Sequence, residues 1–114
     1  MLVVIPTKDR WFSLKDALAS IQRQSLCPSK ILVVDQSVKS AKNEITKILE
    51  HTNISFHYLH AYPEAGLVLA KRRAVEITSE DPVVFLEDDV VLDVDFLSQI
   101  SKTFQDKPDA LGVG

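Results

Sequence analysis

Three consecutive acidic residues, Glu87, Asp88 and Asp89, follow the apolar stretch 83–86 and are the residues of this sequence best suited to chemistry. Buried strands rarely contain charge, so we expect these carboxylates where a strand leaves its sheet, which is where open α/β sheets bind ligands. Two further aspartates follow, and such crowding raises the cost of keeping every acid ionised. A divalent cation at the triplet would offset that cost. The alternative is a loop leading into a helix N-terminus, where acids are favoured, and the two later aspartates fit it.

The apolar pattern predicts the elements that position this triplet. Short runs rich in Val and Ile predict strands at residues 2–5, 31–34, 55–60 and 83–86. Amphipathic stretches predict helices that begin after Ser13 as N-cap and that span 42–51, 67–77 and about 93–104. Residues 110–114 predict a further strand that has only begun where the chain stops, so we expect a fragment of a longer protein.

Alternation of apolar strands with helices predicts an α/β fold, a mainly parallel sheet sandwiched by helices. The loops that follow parallel strands share one edge of the sheet, so their polar residues should meet there. These loops contain residues 7–10, 35–37, 62–66 and 87–89.

Composition and charge restrict the class of protein. The chain has 114 residues, which fits a single domain, 1–114. Its net charge of −3 argues against nucleic acid as a partner. One cysteine, Cys27, implies neither a disulfide framework nor a zinc site. A reducing, cytoplasmic location is therefore expected. No apolar run approaches the ~20 residues of a membrane span, so we expect no transmembrane segment in this chain. Association of a longer protein with the inner face of the membrane stays open.

Four segments in order resemble the family 2 glycosyltransferases, nucleotide-sugar-dependent enzymes with the GT-A fold. The segments cover residues 3–10, 31–37, 66–74 and 85–89. They are similar to that family's opening strand and loop, its second strand, its Gly-Leu-x-x-Ala-Arg-Asn-x-Gly helix and its Asp-x-Asp strand. The resemblance spans essentially the whole chain and aligns it with the family's N-terminal, donor-binding half.

The resemblance implies roles for the loop after the first strand. Pro6 and Thr7 would lie against the nucleotide base, although a strand-terminating turn explains Thr7 equally well. Asp9 and Arg10 share this loop. Arg10 would approach the diphosphate, or else form an exposed ion pair.

The resemblance also implies roles for residues that follow the other strands. Asp35 would accept hydrogen bonds from the base or ribose, and Lys71 would contact the base or a phosphate. Glu87 and Asp89 occupy the acidic positions of the metal motif, with Asp89 as direct ligand of Mn²⁺ or Mg²⁺. Asp88 would contact the ribose or the donor sugar.

The implied activity is metal-dependent binding of a nucleotide-diphospho-sugar and inverting transfer of the sugar to an acceptor hydroxyl. No catalytic residue is assigned within the chain, because the family's carboxylate base is expected beyond Gly114, and the chain alone is expected to be inactive. The acceptor and the oligomeric state stay undefined.

Three other classes of protein share parts of this pattern. A non-catalytic nucleotide-binding relative remains an alternative, since the deciding residues are not in the chain. A response-regulator receiver domain needs a phosphoacceptor Asp after its central strand, and the strand ending at His60 supplies none. A nucleotidyltransferase would show a Gly-rich loop after the first strand, where residues 6–10 contain no glycine.

Overall fold

The computed structural model describes residues 1–114, in which four strands and four α-helices alternate strictly. The strands are β1 (Leu2–Thr7), β2 (Lys30–Asp35), β3 (Ser55–His60) and β4 (Val83–Phe85). The helices are α1 (Trp11–Gln22), α2 (Lys42–Leu49), α3 (Leu67–Glu76) and α4 (Phe96–Asp106).

All strands are parallel, in the order β3-β2-β1-β4, which confirms the predicted parallel α/β sheet. In the register of β1 and β2, Thr7 lies opposite Asp35, so both strands end at the same level. The loops after β1, β2 and β4 therefore emerge along one edge, the carboxyl edge of the sheet, as the sequence predicts.

β1 continues through Pro6 to Thr7, two residues beyond the predicted strand. The proline is tolerated because its nitrogen, which carries no hydrogen, faces the β4 side of β1. The backbone of even-numbered β1 residues faces β4: Leu2 N–H bonds Pro82 O, and Leu86 N–H bonds Val4 O. Pairing with β4 stops at Val4, so a donor at Pro6 would have no strand to bond.

Alternating side chains of the central strands divide the core between the two faces of the sheet. One face packs Val3 and Ile5 beneath α1, α2 and α4. The opposite face packs Leu2 and Val4 beneath α3, which contributes the small side chains of Ala70 and Ala74. Helices on both faces explain why β1 and β2 are continuously apolar rather than alternating.

Several predicted boundaries were wrong. α1 begins at Trp11 rather than after Ser13, and no side chain caps its first turn. α4 begins at Phe96, because residues before it form turns. β4 ends at Phe85, and α2 and α3 end one or two residues early.

The strand predicted at 110–114 is absent. Ala110 N–H instead donates to Lys107 O and closes a turn after α4, so these backbone groups pair with no neighbouring strand. None of the four helices combines the length and the apolar character that crossing a bilayer requires.

Candidate functional site

The loops after β1 and β4 are joined by side-chain hydrogen bonds across nearly the full length of the sequence. Thr7 Oγ1 donates to Asp88 Oδ2 at 2.7 Å. Both groups are buried, with 6% and 5% of their surface exposed, so the bond is sheltered from water. Asp88 therefore does not emerge as a free carboxylate, and one of its oxygens is committed to holding the two strand ends together.

Arg10 spans the two aspartates that follow β4. Its Nη1 donates to Asp88 Oδ1 at 2.9 Å and to Asp89 Oδ2 at 3.1 Å. The hydrogen bond and charge of Asp88, followed by the charge of Asp89, raise the pKa of Arg10 above its ordinary value. Of the two alternatives for Arg10, the structure contains the ion pair, and its partners are these two acids rather than the neighbouring Asp9.

Glu87 and Asp89 are the carboxylates of the triplet that face solvent. Nowhere in residues 1–114 do three or more His, Cys, Asp or Glu side chains lie together as a ligand set for a metal. Mg²⁺-type sites commonly use one or two carboxylates and complete the coordination with phosphate oxygens and water. The donor atoms present therefore fit a cation shared with a phosphate-bearing ligand, and do not fit a cage made by the protein alone.

Asp35, at the end of β2, is fully buried and its carboxylate is held by three donors. Ser37 N–H bonds Oδ1 at 2.9 Å, while Ala41 N–H at 3.3 Å and the Tyr58 hydroxyl bond Oδ2. Burial alone would raise the pKa of Asp35, but the hydrogen bonds from Ser37, Tyr58 and Ala41 together outweigh it, so the pKa is lowered. The group is thus a buried anion at the start of α2, where the helix dipole also favours negative charge.

Tyr58 is a residue of this site that the sequence did not reveal. Its hydroxyl lies between Asp35, Ser40 and the Ala41 backbone. Burial, followed by the hydrogen bond to the Asp35 carboxylate, raises the pKa of Tyr58 to about 12. Alternation along β3 indicated a strand, but nothing in the sequence placed this side chain beside the end of β2.

A cavity of about 230 Å³ opens between the loops after β1 and β2. Thr7, Asp9, Arg10 and Asp35 lie around it, which brings together four of the predicted residues. Two residues without a predicted role, Trp11 and Lys39, also line it. A larger and mainly apolar cleft of about 1050 Å³ lies between β4, α4 and residues 110–114, but no predicted site residue borders it.

The loop after β1 adopts an unusual backbone at Asp9. Its φ of 56° lies in the left-handed region, which Asp tolerates better than most residues. Asp9 N–H donates to Ser37 Oγ at 2.7 Å, so the first loop is tied to the second. The role of Asp9 seen here is to shape the cavity wall through its backbone.

The remaining predicted residues lie apart from this hydrogen-bond network. Pro6 is buried within β1 and does not line the cavity. Lys71, on α3, places its ammonium 5.4 Å from the centre of the Phe85 ring, beside the end of β4 but on the opposite face of the sheet from α1. Its neighbours Arg72 and Arg73 pair with Glu64 and Glu76, so Lys71 alone of these three cations has no carboxylate partner.

Gln36 pairs with the loop before α3. Its amide donates to Gly66 O at 3.1 Å and accepts from Gly66 N–H at 3.2 Å. Gly66 has a φ of 109°, a backbone conformation that residues other than glycine rarely adopt. Both ends of the Gln36 amide are therefore used by this backbone.

The fold and the position of the site define a Rossmann-like α/β protein of the GT-A type. A mannosyltransferase, PcManGT from Pyrobaculum calidifontis, in complex with GDP-Man and Mn²⁺, matches 93% of this chain with 32% of its own, at a TM-score of 0.82 and 20% identity. S. aureus TarS 1–349 matches 99% of this chain with 37% of its own, at a TM-score of 0.77 and 17% identity. TarS 1–349 in complex with UDP-GlcNAc matches 99% of this chain with 36% of its own, at a TM-score of 0.73 and 16% identity.

The family follows from the sequence as a whole. The model of glycosyl transferase family 2 matches residues 2–114, and the chain belongs to that family. It spans 23% of one solved S. aureus TarS chain and 37% of TarS 1–349. No curated protein is similar enough in sequence to add a comparison.

Proposed function

We propose that these residues form the donor-binding part of an inverting glycosyltransferase, which binds a nucleotide-diphospho-sugar together with a divalent cation. The observation that carries the proposal is the convergence of Thr7, Arg10, Asp35, Asp88 and Asp89 on the carboxyl edge of a parallel sheet. That edge is where open α/β sheets bind nucleotides. Similar structures in complex with GDP-Man and Mn²⁺ or with UDP-GlcNAc support the same ligand class.

In this proposal Asp89, with Glu87, holds the cation. Mn²⁺ or Mg²⁺ bound there would neutralise charge that develops on the leaving diphosphate. Arg10 adds a second positive group on the side of β1, and its planar fork suits phosphate oxygens. Lys71 would contact the base or a phosphate from the α3 side of the sheet.

The nucleoside would lie beside the loops after β1 and β2. A carboxylate offers about four acceptor positions, and Asp35 uses three of them within the protein. The fourth would accept from a ribose hydroxyl or a base N–H, which requires the residues that cover the buried Asp35 to move when nucleotide binds. Thr7 and Asp88 hold the two strand ends together, and Pro6 supports that arrangement from inside the sheet.

As the family resemblance implies, the carboxylate base that deprotonates the acceptor hydroxyl would lie outside these 114 residues. The chain alone is then expected to bind donor without transferring sugar. Sugar transfer by the chain alone would contradict this part of the proposal.

The proposal is tested by titrating the protein with UDP, GDP and dTDP, each with and without Mn²⁺, using calorimetry. We expect saturable binding of at least one nucleotide that strengthens with Mn²⁺. Asp89→Asn removes the ligand charge at constant shape and should lower Mn²⁺-dependent affinity by about 10-fold or more. Asp109→Asn, at an exposed aspartate without a hydrogen-bonding partner, is the control and should change nothing. Binding that ignores both Mn²⁺ and Asp89 would exclude the proposed metal site.

A further inference from the structure

We propose that Arg10 competes with the divalent cation for Asp89 and thereby couples cation binding to diphosphate binding. This inference rests on the proposed function. Without ligands Arg10 occupies Asp89. When a diphosphate binds the Arg10 guanidinium, the bond to Asp89 weakens and the Asp89 carboxylate becomes available to the cation. Binding of each ligand therefore strengthens binding of the other.

The first support is the unequal environment of the two bonds that Arg10 makes. Its Nη1 bonds both Asp88 and Asp89, but the Asp88 side chain is 6% exposed and the Asp89 side chain 45% exposed. Asp88 is also fixed by Thr7. Exposed ion pairs contribute little and break readily, whereas sheltered ones persist. Arg10 can therefore leave Asp89 while it stays anchored on Asp88.

The second support is the set of donors that Arg10 leaves unused. Only Nη1 bonds protein acceptors, which leaves Nη2 and Nε without a partner in the chain. The side chain of Arg10 is 55% exposed beside the cavity. Guanidinium groups bind phosphate oxygens through two parallel N–H bonds, so a diphosphate at this edge would find a pre-positioned donor pair. The negative charge of the diphosphate then weakens the attraction between Arg10 and the exposed Asp89.

The third support is the shortage of protein ligands for a metal. No group of three suitable side chains exists, so a cation at Asp89 needs phosphate oxygens to complete its coordination. In the absence of a diphosphate, the cation would meet an incomplete ligand set and a positive guanidinium already on the carboxylate. Both effects weaken binding of the cation alone, and a diphosphate relieves both.

The experiment measures Mn²⁺ binding by electron paramagnetic resonance, first alone and then with UDP or GDP, whichever binds. Arg10→Gln removes the competing charge and should tighten binding of Mn²⁺ alone by roughly 3- to 10-fold, the size expected from removing one charge at this distance. It should weaken nucleotide binding. The factor by which nucleotide strengthens Mn²⁺ binding should therefore fall but stay above one, because phosphate oxygens still complete the coordination of the cation, and linkage requires the same fall in the reverse direction.

Two further variants separate charge from fold. Arg10→Lys keeps the positive charge and loses the fork, so Mn²⁺ alone should bind as weakly as in the wild type while nucleotide affinity falls. Arg73→Gln is the matched control, because Arg73 also bridges two carboxylates, Glu64 and Glu76, but on α3. It should leave every constant unchanged.

Unchanged or weaker binding of Mn²⁺ alone in Arg10→Gln, with Asp89-dependent binding in the wild type, would overturn this inference and leave the proposed function standing. If no variant, wild type included, shows Asp89-dependent Mn²⁺ binding in the presence of nucleotide, the proposed function fails and this inference fails with it.

Discussion

A buried carboxylate needs hydrogen bonds that replace those to water. Asp35 receives them from neutral groups rather than from a Lys or Arg side chain. Two backbone N–H groups and one hydroxyl supply its hydrogen bonds. The hydroxyl belongs to Tyr58, which also lies within a row of rings along β3. Tyr58 and His60 have centroids 6.5 Å apart, and His60 and Tyr62 are separated by 6.4 Å. The edge strand thus supports the end of β2 through side chains on one of its faces.

The pH dependence of Tyr58 tests this contact. In a Tyr62→Phe background Tyr58 is the only remaining tyrosine, so tyrosinate absorbance reports it alone. We expect a midpoint near pH 12, because burial and the Asp35 carboxylate both disfavour the phenolate. A raised pKa stabilises the folded state below the ordinary value of 10.0, and this contribution is lost as pH rises from there through about 12.

The stability measurement follows from the same shift. The unfolding free energy of the Tyr62→Phe protein should fall over this range by more than that of the Tyr58→Phe, Tyr62→Phe protein, as measured by urea denaturation. A spectroscopic midpoint at the ordinary value for tyrosine would contradict the contact between Tyr58 and Asp35.

Among the elements, α1 connects the chemistry to the core. Its first residue, Trp11, follows directly after Arg10, and its inner face packs on the sheet through Leu14, Leu18 and Ile21. The position of this helix therefore fixes where Arg10 lies relative to the end of β1. This inner face follows the 3.6-residue apolar period of the sequence, which does not depend on where the helix begins.

Core packing by α1 is tested by truncating Leu18, which is fully buried. Leu18→Ala should lower the free energy of unfolding by about 2–5 kcal/mol, through lost burial and the cavity left behind. Phe12, on the same helix, is 84% exposed, and Phe12→Ala should change stability by only about 0.5 kcal/mol or less. Urea denaturation of both variants measures the difference. Equal effects would mean that α1 does not pack as described.

Across the whole molecule, residues distant in sequence hold the last helix in place. Gln24, just after α1, is 5% exposed and bonds the chain before α4. Its Nε2 donates to Asp93 O at 2.6 Å, and its Oε1 accepts from Leu97 N–H at 3.0 Å. The latter is one of the N–H groups that a helix N-terminus leaves unpaired. A side chain from 73 residues away therefore performs the capping that Asp95 does not.

Gln24→Ala should leave the buried Leu97 N–H without an acceptor and lower stability by about 1–3 kcal/mol. Hydrogen exchange at Leu97 should accelerate relative to amides of β1. Gln105→Ala, at an exposed position of α4, should have no such effect. Unchanged exchange at Leu97 in the Gln24 variant would show that α4 is held by apolar packing alone.

The sequence by itself determined the order and type of all eight elements, because apolar period and strand composition are local properties of the chain. It also indicated that the polar loops would share one edge, since parallel strands must place their carboxyl ends together. It did not predict that β1 continues through Pro6, because a strand tolerates proline where no neighbouring strand extends far enough to need the missing N–H. That depends on the lengths of the neighbouring strands.

Only the tertiary structure decided which side chains at that edge bond one another. Asp88 and Asp89 are adjacent in sequence, but one is buried against Thr7 and the other faces solvent with Arg10. The contact between Asp35 and Tyr58 likewise joins two strands at a register that no local pattern specifies. Hydrogen bonds of this kind depend on distances between elements, which packing sets after the elements have formed.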